Sequence, residues 1–395
     1  MVVGDLRRYL AGIGIVSLFL IPMLVFLIAR HNPPSDLAVY QLAGRMFATG
    51  GGLYDNPWGT SLAVPLPYTY PPFWAAAVVP FAWLPWRAAT VFWTLVNVGL
   101  LAWIVNVSYA PFLLRFGSRR VILVASLTVV AAVIAPSTDT FLLGQLGILL
   151  TAACLADTVP EHTRLPRGAL VGFSTAVKLF PGIFIAYWGV TRRWRPALTA
   201  TAVAVGLWLL AALPRPALSW QFWTNQVFRS DRVGDASIAV DQSLHGLLLR
   251  TGWDNPALWA ILVVGVVVLG MGRATVAHKH EDELAAVTLV GLTGLLVSPV
   301  SWIHHAIWIV PVTGVLLGDG RSRARWWSWG AVLGLFVLRT PQWVEAGSLR
   351  VGPILTPLLE NAYVWAYLAL LLFIPVRDAR REPIYPSAAS ASASA

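Results

Sequence analysis

Asp36 stands just beyond the first long apolar run, in Pro33-Pro34-Ser35-Asp36-Leu37-Ala38-Val39-Tyr40. A carboxylate at such a boundary is partly desolvated, which raises its proton affinity, yet it still meets polar substrate, so it suits a general base. Ser/Asp before a helical run is also a common helix cap, and the two roles are compatible. Lys178 lies inside an apolar run, in Lys178-Leu179-Phe180-Pro181. An intramembrane lysine is costly and is read as functional by default. Beside a helix broken at Pro181 it offers an ammonium and backbone N–H groups to an anion, a lipid phosphate being the obvious one; snorkelling to the nearer interface is the structural alternative. His304 and His305 open a further run, in Ser298-Pro299-Val300-Ser301-Trp302-Ile303-His304-His305. Neighbours on a helix point about 100° apart. The pair therefore suits hydrogen bonding to phosphate or sugar better than zinc, which favours an i, i+4 pair or cysteines.

Weaker signals surround these. The segment 214–256 holds Trp220, Trp223, Arg229, Asp241, Gln242 and His245. Indoles beside polar groups suit carbohydrate, because sugar ring faces stack and hydroxyls need partners; an interfacial aromatic belt explains the indoles equally well. Gly144-Gln145, preceded by Asp139, marks another helix end.

The elements that must position these groups follow from composition. The chain has 395 residues, a formal charge of +10, 57% apolar and 12% charged residues, and 20 Trp. The charged share is about half that of ordinary soluble domains. One cysteine, Cys154, excludes an intramolecular disulfide. Basic residues occur as short clusters between long apolar runs rather than on a solvated face, which argues against nucleic acid. Continuous apolar runs near 10–29, 89–112, 121–135, 141–156, 168–190, 196–213, 257–272, 284–300, 303–317, 326–338 and 359–376 imply an all-α polytopic transmembrane helical bundle. We expect about 11 to 13 helices from the span length a bilayer demands. Residues 73–86 have a length more typical of a re-entrant segment, with full crossing left open, and 168–190 reads as an out-and-back pair broken at Lys178. Clusters such as Arg7/Arg8, Arg119/Arg120, Arg192/Arg193/Arg195 and Arg321/Arg323/Arg325 fall on one side, with 18 basic residues against 8 on the other. The positive-inside rule then predicts a cell-membrane protein with both termini cytoplasmic and residues 31–72, 214–256 and 340–358 outside. Residues 1–380 read as a single transmembrane domain and 381–395 as a disordered cytoplasmic tail.

These pieces, in this order, resemble the polyprenol-phosphate-mannose-dependent mannosyltransferases of actinobacteria, glycosyltransferase family 87 of the GT-C superfamily. The carriers are the Asp36–Tyr40 segment, Gly52-Leu53-Tyr54, Leu66-Pro67-Tyr68-Thr69-Tyr70-Pro71-Pro72, Gly144-Gln145, Lys178–Pro181, Asp241-Gln242-Ser243-Leu244-His245-Gly246 and Ser298–His305. The resemblance implies a GT-C fold with an outer-face active site. It implies inverting transfer of mannose from a polyprenyl-phosphate-mannose donor to a mannolipid or lipoglycan acceptor, with an α-1,2 linkage. It casts Asp36 as base and Lys178, His304 and His305 as substrate-binding, and its motifs hold Tyr40, Tyr70, Gln145, Asp241 and Gln242 as candidate substrate contacts; Arg229, from the polar 214–256 segment, is a further candidate beside Lys178 for the phosphate. One departure stands out: where the family often has Asn at the second position after Gly-Gln, this chain has Gly147. No nucleotide-binding Gly-rich loop is apparent, so neither nucleotide nor cofactor is expected; divalent-metal dependence is open. The rival readings are a related polyprenyl-phosphate arabinofuranosyltransferase and, from another class, a lipid or glycolipid transporter or flippase. The latter predicts paired repeats with matching broken helices, and only one clear break is seen.

Overall fold

The computed structural model describes residues 2–54, 66–160 and 164–377; the expected disordered tail, 381–395, lies outside them. Among the described residues there is no strand, only a single antiparallel bridge between Asp241 and Trp302. Helix α1 (Val2–Ala29) leads to α2 (Ser35–Thr49), which Gly50 ends in the left-handed conformation at φ 90°. The short α3 (Pro72–Ala77) and a 3-10 turn at Val79–Phe81 then fold against α2. Gln41 Nε2 donates to Leu84 O at 2.9 Å and Arg45 Nε to Ala82 O at 2.8 Å. Residues 73–86 therefore stay beside α2 instead of crossing, and the next traverse is α4 (Trp86–Ser108).

Helix α5 (Arg120–Val133) is followed by α6 (Ala135–Leu143) and α7 (Gly147–Thr158), bent by 118° about Gly144-Gln145-Leu146. The run 168–190 divides as expected. Helix α8 (Ala169–Val177) stops at Lys178, a 3-10 turn covers Phe180–Gly182, and α9 (Ile183–Val190) leads into α10 (Trp194–Ala212). Gly168 lies against Pro196, Gly172 against Ala200 and Val203, and Trp208 Nε1 donates to Ala176 O. These contacts advance together, so α8 runs parallel to α10. Arg193 N closes the α9–α10 turn on Trp188 O, so α9 returns the other way. Lys178 is thus the tip of an out-and-back pair whose nine-residue α8 rises only about 14 Å, half a bilayer core of about 30 Å.

Helices α11 (Pro256–Lys279), α12 (Glu283–Val297), α13 (Ile309–Leu317), α14 (Arg323–Leu338) and α15 (Ala362–Phe373) complete the bundle. α12 is buried on every side from Leu284 to Leu296, which is why its sequence has no polar stripe. Among the described residues five helices are long and apolar enough to cross a membrane, or six if α6 and α7 form one bent span. Shorter apolar helices at Phe180–Val190, Glu283–Val297, Ile303–Leu317 and Ala362–Phe373 stand among them. The expected bundle of about 11 to 13 helices thus includes short and broken segments beside the long spans. Arg193 pairs with Glu283, Arg377 with Asp282, and Arg115 donates to Asp319 O. These contacts gather arginine-bearing helix ends at one end of the bundle; Asp36 belongs to the other.

Candidate active site

Asp36 occupies the first turn of α2. Pro34 holds the N-cap position, so Asp36 is not the capping residue of the helix. Instead Ser35 Oγ donates to Asp36 Oδ2 at 3.1 Å. Asp36 keeps partial exposure. Crowding by protein atoms nevertheless removes enough water to push its carboxyl from 3.8 up to about 6, against the opposing pull of Ser35, the Lys178 charge and Gln145.

Lys178 has extended backbone, φ −147° and ψ 132°, where α8 ends. Its Nζ is 2.7 Å from His305 Nε2 and 5.4 Å from the centre of the Tyr70 ring. An ammonium only donates, so His305 Nε2 accepts and the imidazole proton lies on Nδ1. His304 and His305 lie in a 3-10 turn, Ile303–Trp308, that opens onto α13. Their rings meet edge to face at 4.6 Å, and His304 is buried. Tyr40 and Tyr70 hydroxyls are 2.9 Å apart; Gln145 Oε1 lies 3.2 Å from Tyr40 and 3.4 Å from Tyr70. A crevice walled by Leu146, Leu150, Cys154, Phe180 and Trp308 leads away from Lys178 and His305 along α7. Among the described residues no group of three His, Cys, Asp or Glu side chains could hold a metal ion.

A base-like carboxyl, a cation at a broken helix and an apolar crevice beside that cation are the parts of a lipid-linked group transfer. The sequence profile of glycosyltransferase family 87 matches residues 68–299. The chain belongs to that family. This family-87 protein is a membrane glycosyltransferase of helical GT-C type. It is 34% identical to a polyprenol-phosphate-mannose-dependent alpha-(1-2)-phosphatidylinositol mannoside mannosyltransferase of Mycobacterium tuberculosis, over 72% of this chain and 71% of the relative. A protein of the same description from Mycolicibacterium smegmatis is 31% identical over 88% of this chain and 84% of its own length. A phosphatidylinositol pentamannoside mannosyltransferase of Mycolicibacterium smegmatis is 28% identical over 75% of this chain and 74% of its own. No solved structure matches.

The profile match covers Tyr70, Gln145, Lys178, Asp241 and Gln242 but not Asp36, His304 or His305. The structure joins Asp36, Tyr40, Tyr70, Gln145, Lys178, His304 and His305 in one cluster. It places the other candidates differently. Asp241 is fully buried, and Oδ1 accepts from Ser301 N at 2.7 Å and Ser243 N at 3.1 Å. Gln242 uses its amide completely, accepting from Tyr363 N and Val364 N and donating to Ala239 O and Glu360 O. Both residues therefore fasten the segment leading into the histidine turn, where Gln242 N also donates to Ser301 O and Ile303 N to Val240 O. Arg229 stands exposed between two 3-10 turns, outside the side chains that converge on Asp36.

Gly147 has a steric reason: a Cβ there would lie 2.6 Å from His304 O. Gly144 has another. It is left-handed at φ 75°, and a Cβ would lie 2.7 Å from Leu37 Cβ. Two contributors escaped the sequence reading. Ser35 was legible only as a cap, and Trp93, whose Nε1 donates to Gln145 O at 3.3 Å, sits in a uniformly apolar run.

Proposed function

We propose that this family-87 enzyme transfers mannose, with inversion, from polyprenyl-phosphate-mannose to a phosphatidylinositol mannoside-type acceptor, forming an α-1,2 linkage on the extracytoplasmic face. The relatives' descriptions support the donor and acceptor classes. The excess of arginine and lysine at the opposite end supports an outward-facing site and cytoplasmic termini. The observation that supports the residue assignment is the Lys178–His305 pair, which lines an apolar crevice and whose ammonium lies close enough to act on the Asp36 carboxyl by its charge.

The chemistry follows from that placement. The acceptor hydroxyl yields its proton to the Asp36 carboxylate as its oxygen attacks the anomeric carbon. The bond from that carbon to the phosphate oxygen breaks on the opposite face, and the electron pair leaves with the lipid phosphate. The Lys178 ammonium and the His305 Nδ1–H stabilise the growing negative charge, while apolar crevice walls suit isoprenoid. A phosphate leaving group needs little protonation, so a single carboxyl suffices.

Reconstitution with radiolabelled polyprenyl-phosphate mannose and a panel of mannolipid and lipoglycan acceptors tests this reading. Label is expected to move from the lipid donor to phosphatidylinositol mannosides. Equal transfer from GDP-mannose without a lipid carrier would refute it.

A further inference from the structure

We propose that Tyr70 is a positioning residue for Lys178, its ring face holding the ammonium so that the remaining N–H groups stay free for the donor phosphate. The inference rests on Lys178 meeting that phosphate as proposed above, and concerns what aims it. Lys178 Nζ lies over the Tyr70 ring, 5.4 Å from its centre. An aromatic face attracts a cation within about 6 Å, and more strongly where water is excluded; Tyr70 is 6% exposed. An ammonium carries three N–H donors. Among the described residues the one hydrogen-bond acceptor of Lys178 is His305 Nε2, at 2.7 Å. A carboxylate in place of the ring would neutralise the cation and occupy donors. The ring holds the charge and does neither.

The ring itself is fixed. Its hydroxyl is 2.9 Å from the Tyr40 hydroxyl, and the two rings meet edge to face at 5.5 Å. Tyr54 Oη donates to Tyr70 O at 2.8 Å, and Tyr68 Oη donates to Pro71 O at 3.0 Å. Pro71 disfavours helical backbone at the residue before it, so Tyr70 stays outside α3, which starts at Pro72. One residue further, Phe73 packs edge to face on Phe173 of α8, 5.9 Å between ring centres, and α8 ends at Lys178. Ring and ammonium are thus carried by two elements packed on each other, which orders their contact before substrate arrives. The Tyr68-Thr69-Tyr70-Pro71-Pro72 segment has a divided role: Tyr68 and the prolines set the backbone, and Tyr70 presents the face.

The test compares wild type, Tyr70→Leu, Tyr70→Phe and a series with 4-fluoro-, 3,5-difluoro- and 3,4,5-trifluorophenylalanine in place of Tyr70. Binding of polyprenyl phosphate and transfer from polyprenyl-phosphate mannose are measured in reconstituted vesicles. Fluorine withdraws charge from the ring face and changes its shape little. Tyr70→Phe keeps the face, so affinity for polyprenyl phosphate is expected to stay within about threefold of wild type. The fluorine series should then lower it stepwise, about tenfold in all, with Tyr70→Leu at least as weak and acceptor KM within about twofold throughout. A ring that merely packs would give no such slope. The chain has two lysines, Lys178 and Lys279, and methylation keeps their charge. Proton–carbon NMR of the methylated protein therefore holds two lysine signals. Ring current should set the Lys178 signal upfield in wild type and in Tyr70→Phe, and Tyr70→Leu should abolish that offset. Equal affinity across the fluorine series, or a Lys178 signal that Tyr70→Leu does not move, overturns the assignment even where mannose transfer proceeds as proposed. A clear slope in polyprenyl phosphate binding without mannose transfer by wild type would instead indict the proposed reaction and uphold the role of Tyr70.

Discussion

Asp36 and Asp241 are both carboxyls that burial pushes up to about 6, and they keep opposite company. Asp36 is partly exposed, and it is held by the Ser35 hydroxyl, the Lys178 charge and its own backbone N–H. Asp241 is sealed, and faces backbone N–H groups of Ser243 and Ser301 together with the Ser243 hydroxyl. The shared direction of titration does not separate chemistry from support; the partners do. Side chains around Asp36 can exchange one hydrogen bond for another when substrate arrives. Backbone donors around Asp241 cannot move without dismantling the Asp241–Trp302 bridge.

Exchanging each carboxyl for its amide is the strongest way to break this comparison. Asp36→Asn removes the proton acceptor and is expected to lower turnover about 10²–10⁴-fold, while the thermal midpoint in detergent changes little. Asp241→Asn keeps the shape but weakens charge-assisted bonds to the backbone. The expected result is a loss of about 1–3 kcal/mol in stability, with turnover per folded molecule reduced only severalfold. Equal turnover losses at equal folded fraction would erase the distinction between the two regions.

Lys178→Ala comes next. It removes the ammonium that meets the leaving phosphate, so donor affinity should fall about 10–100-fold, as for loss of a buried charge-assisted contact, and acceptor KM should change less. Unchanged donor binding would detach Lys178 from the site. The pH profile then sharpens the assignment. A base must be ionised, so activity should fall as pH drops through about 6, the value to which burial raises Asp36. Asp241→Asn should leave that acid limb in place, because the other carboxyl governs it.

How much of this was legible in the sequence differs between the same two regions. Asp36, Lys178, His304 and His305 were legible because each is a polar residue beside or inside an apolar run, where chance rarely leaves one. The break at Lys178 was legible from Pro181, and the all-helical bundle from uninterrupted apolar runs. Asp241 and Gln242 read as sugar contacts because a sequence shows side-chain types but not their partners; burial and four backbone bonds give Gln242 its place. Arg215 falls in the segment 214–256, which the charge pattern places outside. The structure has it donating to Met46 O, Phe47 O and Gly51 O at the end of α2, satisfying carbonyls that any helix end leaves open. Residues 73–86 were ambiguous because 14 apolar positions fit a half-crossing as well as the folded-back packing observed.

The smallest expected effect lies where the supporting region presses on the reacting one. Asp241 holds the histidine turn from the Ser301 side, and Gly147 bears on it from α7, with room for a hydrogen but not a carbon beneath His304 O. Gly147→Ala would force that carbonyl or the start of α7 to shift by more than about half an ångström; overpacking of this kind destabilises by about 1–3 kcal/mol. The histidine turn carries His305, and His305 holds Lys178. Where the carbonyl yields and α7 stays in place, the displacement should raise donor KM a few-fold and leave both acceptor KM and the acid limb unchanged, since Asp36 sits on α2, away from the histidine turn. An upward move of the limb would mean that the turn and the base are mechanically one unit. Gly147→Ala with wild-type donor KM would mean that the clamp at Asp241 alone sets the position of His305.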